Sequence, residues 1–152
     1  MRRHKISLAR EPVAEIVEFQ HQTCTSQSEI EKRIQSITAK YPWIVFEESG
    51  EILGYAYGCE WRTRSAYRFT AESAVYLRHD FSHKGIGSKL YQELLLQLKN
   101  QGIHAVMGVI GLPNDPSIKL HEKFGFKKVA HFPQVGFKFQ KWVDVGYWQL
   151  TF

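Results

Sequence analysis

Ala74 to Ser88 limits what this chain can fold into more than any other stretch. Four apolar residues, Ala74 to Leu77, lead into a polar turn that ends in Gly85, Ile86 and Gly87, and an amphipathic helix begins at once. The apolar run reads as a strand. Glycine lets the backbone turn sharply and come close to another group, and the first N–H groups of a helix have no partner inside it. Strand, glycine turn and helix start together form a site for a phosphate or another anion. A dinucleotide turn would need a third glycine where Leu90 stands and an acid about 20 residues on, whereas Asn100 to Asn114 holds none. The Gly-Lys-Ser/Thr ending of a nucleotide-hydrolysing loop is absent as well.

The rest of the chain supplies strands and helices around that unit. Lys5 to Leu8 reads as a strand, and Pro12 opens a helix that runs to about Gln20. Ser28 is placed to cap a second helix, in which Ile30, Ile34 and Ile37 share one face and which closes at Tyr41-Pro42. Trp43 to Glu47 and Ile52 to Trp61 form a hairpin around Ser49-Gly50. Ala66 to Phe69 reads as extended chain leading into the strand Thr70 to Leu77. The helix from Gly85 to Gln101 aligns Ile86, Leu90, Leu94 and Leu98, with Gly102 as its stop. Ala105 to Ile110 is a continuous apolar strand, and a short helix from Asp115 or Ser117 ends at Phe124-Gly125. Lys127 to Phe132 and Trp142 to Thr151 read as closing strands separated by a basic, aromatic segment. The order β-α-α-β-β-β-α-β-α-β-β predicts an α/β chain with a mixed, only partly parallel sheet, in one domain over residues 1–152.

Net charge is +5 and the isoelectric point about 9.2. Lysines and arginines are scattered rather than clustered, so an anionic small molecule, or simply a solvated basic surface, explains the charge at least as well as a nucleic acid, and no nucleic-acid partner is expected. No apolar run approaches the roughly 20 residues of a membrane span, and Ile6 to Leu8 is too short for the apolar segment of a signal peptide. Cys24 and Cys59 offer neither a disulfide framework nor paired metal spacing, which fits a cytoplasmic setting. His79 and His83 are four apart but lie in a loop without further convergent ligands, so no metal is expected.

Val75 to Leu77 with Ser82 to Gly87 resembles the coenzyme-binding turn of the GNAT superfamily of N-acetyltransferases, whose usual pattern is Arg/Gln-x-x-Gly-x-Gly/Ala. Thr70 to Tyr76, Val109 to Ser117, Leu120 to Glu122 and Asp144 to Leu150 resemble phosphinothricin N-acetyltransferases in order and spacing, over roughly Tyr41 to Phe152. The resemblance implies a GNAT fold with a splayed central sheet, acetyl-CoA as cosubstrate, and acetyl transfer to the amine of a small molecule such as an amino acid or its analogue. Phosphinothricin, methionine sulfone and methionine sulfoximine are the acceptors it points to. It also implies a homodimer, for which the aromatic tail from Phe132 to Trp148 offers contacts.

Acetyl transfer needs a neutral nitrogen, a polarised thioester and a proton for the leaving thiolate. Glu72, a carboxylate within a β-rich run, is the candidate base, and by resemblance it falls on the family's general base. His121 stands where many GNAT enzymes carry the tyrosine that protonates the thiolate, a task histidine can perform. The resemblance further assigns backbone groups of Val75, Tyr76 and Leu77 to the pantetheine arm, the amides from His83 through Lys84, Gly85, Ile86, Gly87 and Ser88 to the pyrophosphate, and Asn114 to the pantetheine arm. Trp61, Arg64 and Tyr67 belong to the acceptor side. Three departures stand out. Ser82 occupies the usual Arg/Gln position, Val143 replaces a histidine after the last strand's tryptophan, and the segment His21 to Gln27 is short. Another amine (a polyamine, an aminoglycoside or a peptide N-terminus) and a non-catalytic CoA-binding module remain as alternatives.

Overall fold

The computed structural model describes residues 4–8, 27–78, 80 and 85–152. The expected helix from Pro12 to Gln20 and the segment ending at Gln27 lie almost wholly outside these residues. Seven strands are hydrogen-bonded in the order β1-β2-β3-β4-β5-β7-β6. They are β1 His4–Leu8, β2 Trp43–Glu48, β3 Glu51–Glu60, β4 Thr70–Leu77, β5 Ala105–Gly111, β6 Lys127–Lys138 and β7 Lys141–Thr151. The described helices are α1 Gln27–Thr38, α2 Ile86–Asn100 and α3 Asp115–Lys123. β4 and β5 pair in parallel, which requires the crossover that α2 provides, while β1–β2, β2–β3, β5–β7 and β6–β7 are antiparallel. The sheet is mixed, as the element order implied.

The chain forms two compact units, residues 1–59 with 75–98 and residues 60–74 with 99–152, and β4 runs from the second into the first. In the first unit, Ser49 and Gly50 both have positive φ and turn the chain directly from β2 into β3. Trp43, Tyr55 and Tyr57 on this hairpin are buried and stacked, with Trp43 and Tyr57 centroids 4.2 Å apart. Arg33 of α1 donates from Nη2 to the Tyr57 hydroxyl oxygen at 2.8 Å. α2 buries the i, i+4 row Ile86, Leu90, Leu94 and Leu98 that the sequence marked, together with Tyr91 and Leu95. Two glycines of β3 allow close packing. A Cβ on Gly54 would lie 2.6 Å from Leu77 Cδ2 and 2.8 Å from the Tyr76 carbonyl oxygen, and one on Gly58 would lie 2.8 Å from Leu98 Cδ2.

In the second unit, four rungs join β4 to β5, from Thr70↔Ala105 to Ser73↔Gly108. β7 pairs with the whole length of β5, and β6 is the edge strand. α3 packs on one face: the His121 ring lies against Gly108, and Trp148 Nε1 donates to Glu122 Oε1 at 3.2 Å.

Three sequence expectations are corrected. Gln27 already opens α1, so Ser28 lies within its first turn and is not its cap. Ser65–Tyr67 is a short 3-10 turn, closed by Tyr67 N–H to the Arg64 carbonyl, where extended chain was expected from Ala66. The basic aromatic segment after Phe132 is not a break but the continuation of β6, with a register shift between Phe132 and Gly136 that takes up the extra residues. The aromatic tail divides accordingly. Trp148 is buried, whereas Phe137, Phe139 and Trp142 are exposed.

Gly54→Ala is expected to lower stability by about 1–3 kcal/mol through overpacking against Leu77 and Tyr76, read as a lower urea midpoint at an unchanged slope.

Candidate active site

The glycine turn belongs to the first unit. Gly85 has φ of +77°, which glycine alone adopts without strain, and an added Cβ there would meet nothing within 4 Å. Its carbonyl accepts from Lys89 N–H at 3.1 Å, so the turn leads straight into α2. Ile86 and Gly87 are buried and Ser88 is half-buried. The first turn of α2 carries no acid, so no side chain of that turn would repel an anion at its N-terminal amides. This backbone fits a phosphate. His83 and Lys84, assigned to the same anion, lie outside the described residues, as do Ser82 and His79.

Val75, Tyr76 and Leu77 are the last residues of β4 and lie past the final β4–β5 rung at Ser73. This is where the resemblance required β4 to part from its neighbour. The Tyr76 ring stacks on Tyr55 at 5.1 Å. Arg78, next in the chain, has its guanidinium bonded to Asp80 at 2.7 and 3.1 Å and to Glu51 at 3.3 Å, so its charge is balanced within the fold.

The second unit holds the other candidates. Glu72 is half-buried on β4 and in register with Met107. His121 on α3 is buried, and its Nδ1 lies 2.7 Å from the Ser117 carbonyl. That carbonyl only accepts, so Nδ1 carries the proton and donates. Burial pushes the His121 pKa down, against a smaller upward pull from the Ser117 carbonyl. The ring is therefore neutral at pH 7. Register partners share a sheet face, and Ser73 pairs with Gly108, against which His121 packs. Glu72, one residue before Ser73, lies on the opposite face. The fold thus does not bring Glu72 and His121 together on one face of these strands.

Asn114 is the N-cap of α3. Its Oδ1 accepts from Ser117 N–H at 3.2 Å and its carbonyl from Ile118 N–H at 3.0 Å. The side chain projects from an exposed position with its oxygen engaged, leaving the amide Nδ2 as the donor for a ligand carbonyl. Arg62, Thr63, Arg64 and Tyr67 line a cavity of about 280 Å³. Trp61 packs edge-on to Tyr67 at 5.2 Å, under the Arg62 guanidinium, and its buried Nε1 has no hydrogen-bond partner among the described residues. Guanidinium groups at the rim of such a cavity suit a carboxylate or phosphinate.

Two features escaped the sequence reading. Asp144 Oδ2 bonds His131 Nε2 at 2.7 Å, and its Oδ1 accepts from Gln134 N–H at 2.9 Å. These two bonds hold the Asp144 carboxyl below its usual range. Phe132 packs edge-on to Tyr147 at 5.4 Å. Period-two alternation places each of these residues on a face of its own strand, but only the β6–β7 register with its shifts brings them together. Among the described residues, no group of three or more His, Cys, Asp or Glu side chains is placed to hold a metal ion, and no helix is long and apolar enough to cross a membrane.

Residues 5–146 match the acetyltransferase (GNAT) domain family. The chain belongs to the GNAT acetyltransferases. Within that family it is 41% identical to a phosphinothricin N-acetyltransferase of Streptomyces viridochromogenes, over 90% of this chain and 74% of that protein. It is 39% identical to an L-methionine sulfoximine/L-methionine sulfone acetyltransferase of Salmonella typhimurium, over 72% of this chain and 64% of that protein. Among solved structures, the GNAT phosphinothricin acetyltransferase of Sinorhizobium meliloti in complex with acetyl-CoA superposes with a TM-score of 0.92 at 31% identity, covering 97% of this chain and 88% of that one.

Neutral, buried His121 makes stability depend on pH. Its folded pKa lies below the ordinary 6.5, so the unfolded chain binds the extra proton, and stability falls as pH drops below about 6.5 and levels off below the folded pKa. A urea-melt series from pH 7.5 to 5 is expected to show this slope in the wild type and a shallower one in His121→Asn.

Proposed function

We propose that this protein transfers the acetyl group of acetyl-CoA to the α-amine of a small amino acid or analogue, of the phosphinothricin, methionine sulfone or methionine sulfoximine type. The observation that carries the reading is Glu72, a half-buried carboxylate one residue before the last rung of the β4–β5 ladder. Family membership and the acceptors of the two relatives support it. Residues 1–152 are read as a single acetyltransferase domain.

Bound acetyl-CoA supplies an activated acyl carbon. The amides of Gly85, Ile86, Gly87 and Ser88, with His83 and Lys84, would receive its phosphates, and Asn114 Nδ2 with the backbone of Val75, Tyr76 and Leu77 would hold the pantetheine arm and orient the thioester. Glu72 takes the proton that the acceptor ammonium must lose before its nitrogen can bond to the acyl carbon. Breaking the carbon–sulfur bond leaves a thiolate that needs a proton, and His121 is assigned to deliver it. A neutral His121 must first take that proton from solvent at Nε2, since Nδ1–H stays on Ser117, and Glu72 returns the amine's proton to solvent. With Val143 in place of a histidine, deprotonation rests on Glu72. Arg64, with Trp61 and Tyr67, is assigned to the acceptor's carboxylate. A homodimer is also part of this reading, with the exposed Phe137, Phe139 and Trp142 as its contact.

Glu72→Gln is expected to lower kcat by roughly 10²–10⁴-fold while leaving the Kd for acetyl-CoA nearly unchanged; undiminished turnover removes Glu72 from the mechanism. Arg64→Ala is expected to raise the acceptor KM by roughly 10–100-fold, as loss of a charge-assisted pair would. Free-thiol release across phosphinothricin, methionine sulfone, methionine sulfoximine, polyamines, aminoglycosides and peptides tests the acceptor class, and turnover with polyamines alone overturns it.

A further inference from the structure

Register partners in a sheet present their side chains to the same face, and so do residues two apart along a strand. Glu72 pairs with Met107, Met107 with Gln149 and Gln149 with Lys127. Two residues further along the same face come Val109 and its partner Tyr147, and Phe132 follows on β6 opposite Val145. The Phe132 and Tyr147 rings meet edge to face, 5.4 Å apart at 80°. The other face of these strands carries Ser73, Gly108 and Trp148, and there His121 and Glu122 of α3 pack.

On Glu72's face, Phe132 is 44% exposed and Tyr147 and Gln149 are half-buried. Phe132 is nevertheless held in place. It immediately precedes the register shift of β6, where Gln134 has φ of +53° and donates its N–H to Asp144 Oδ1, while Asp144 Oδ2 binds His131. Two strand spacings and two residues separate Glu72 from Tyr147, about 12 Å between Cα positions. That distance accommodates an amine at Glu72 and an extended side chain reaching the rings.

We propose that Phe132 and Tyr147 form the apolar wall that receives the acceptor's side chain, with Gln149, whose Nε2 donates one N–H to Thr151 Oγ1 at 3.3 Å, offering its second N–H to a polar group along that chain. The wall makes these residues specificity-determining: acceptors with an apolar stem are favoured over glycine or alanine. The inference rests on the reading of Glu72 as base.

The test compares kcat/KM for methionine sulfone and for alanine in the wild type and in Phe132→Ala. Removing the ring is expected to cut the methionine sulfone to alanine ratio by about tenfold or more, as losing several apolar contacts in a pocket does, with the acetyl-CoA KM within about twofold. Phe132→Leu should restore part of the ratio, and it serves as the test should Phe132→Ala fail to fold. An unchanged ratio in a folded variant overturns the wall while leaving the acetyltransferase reading intact. A wild type that acetylates neither amino acid nor any analogue overturns the underlying function, and the wall falls with it.

Discussion

Four parallel rungs between Thr70–Ser73 and Ala105–Gly108 are the interaction on which the candidate site depends. Parallel pairing demands a crossover, and the crossover puts a glycine turn and the start of α2 directly after β4. The rungs also fix which residue faces which side. Glu72 and Met107 look one way, Ser73 and Gly108 the other, and a slip of one residue would exchange the two sets. Because pairing stops at Ser73, the remainder of β4 is not committed to β5.

The two faces have different chemistry. One carries a helix packed so closely that the Cδ2 and Nε2 atoms of an imidazole lie against a glycine, and burial there favours the neutral imidazole. The other carries a half-buried carboxylate, an amide and two aromatic rings, groups suited to deprotonating and enclosing an amine with an apolar side chain. Arg78 illustrates how the fold handles charge at the end of β4: its cation is occupied by Asp80 and Glu51.

Much of this was legible in the residues. The i, i+4 row of α2, the Ser49-Gly50 hairpin and the β4-turn-α2 unit all rest on local rules, and local rules are readable without partners. Glu72 stood out because a carboxylate in a β-rich run is unusual. What stayed hidden needed the register. The basic, aromatic segment after Phe132 read as a separation between two strands, since the pairing with β7 that carries β6 on to Lys138 is set by a strand further along the chain. The His131–Asp144 bond spans thirteen residues and a register shift, and the separation of Glu72 from His121 by the sheet follows only from which rung each meets. Asn114 was picked out for a ligand, yet its cap on Ser117 shows that the same side chain also begins a helix.

Gly108 sets how near α3 can come to the sheet. The His121 ring occupies the space where any other residue at 108 would place its first carbon, so a side chain there would push helix and strand apart. Asn114 starts that helix two turns earlier and travels with it. The depth at which its amide is presented is therefore decided on β5, by the absence of a single methyl group.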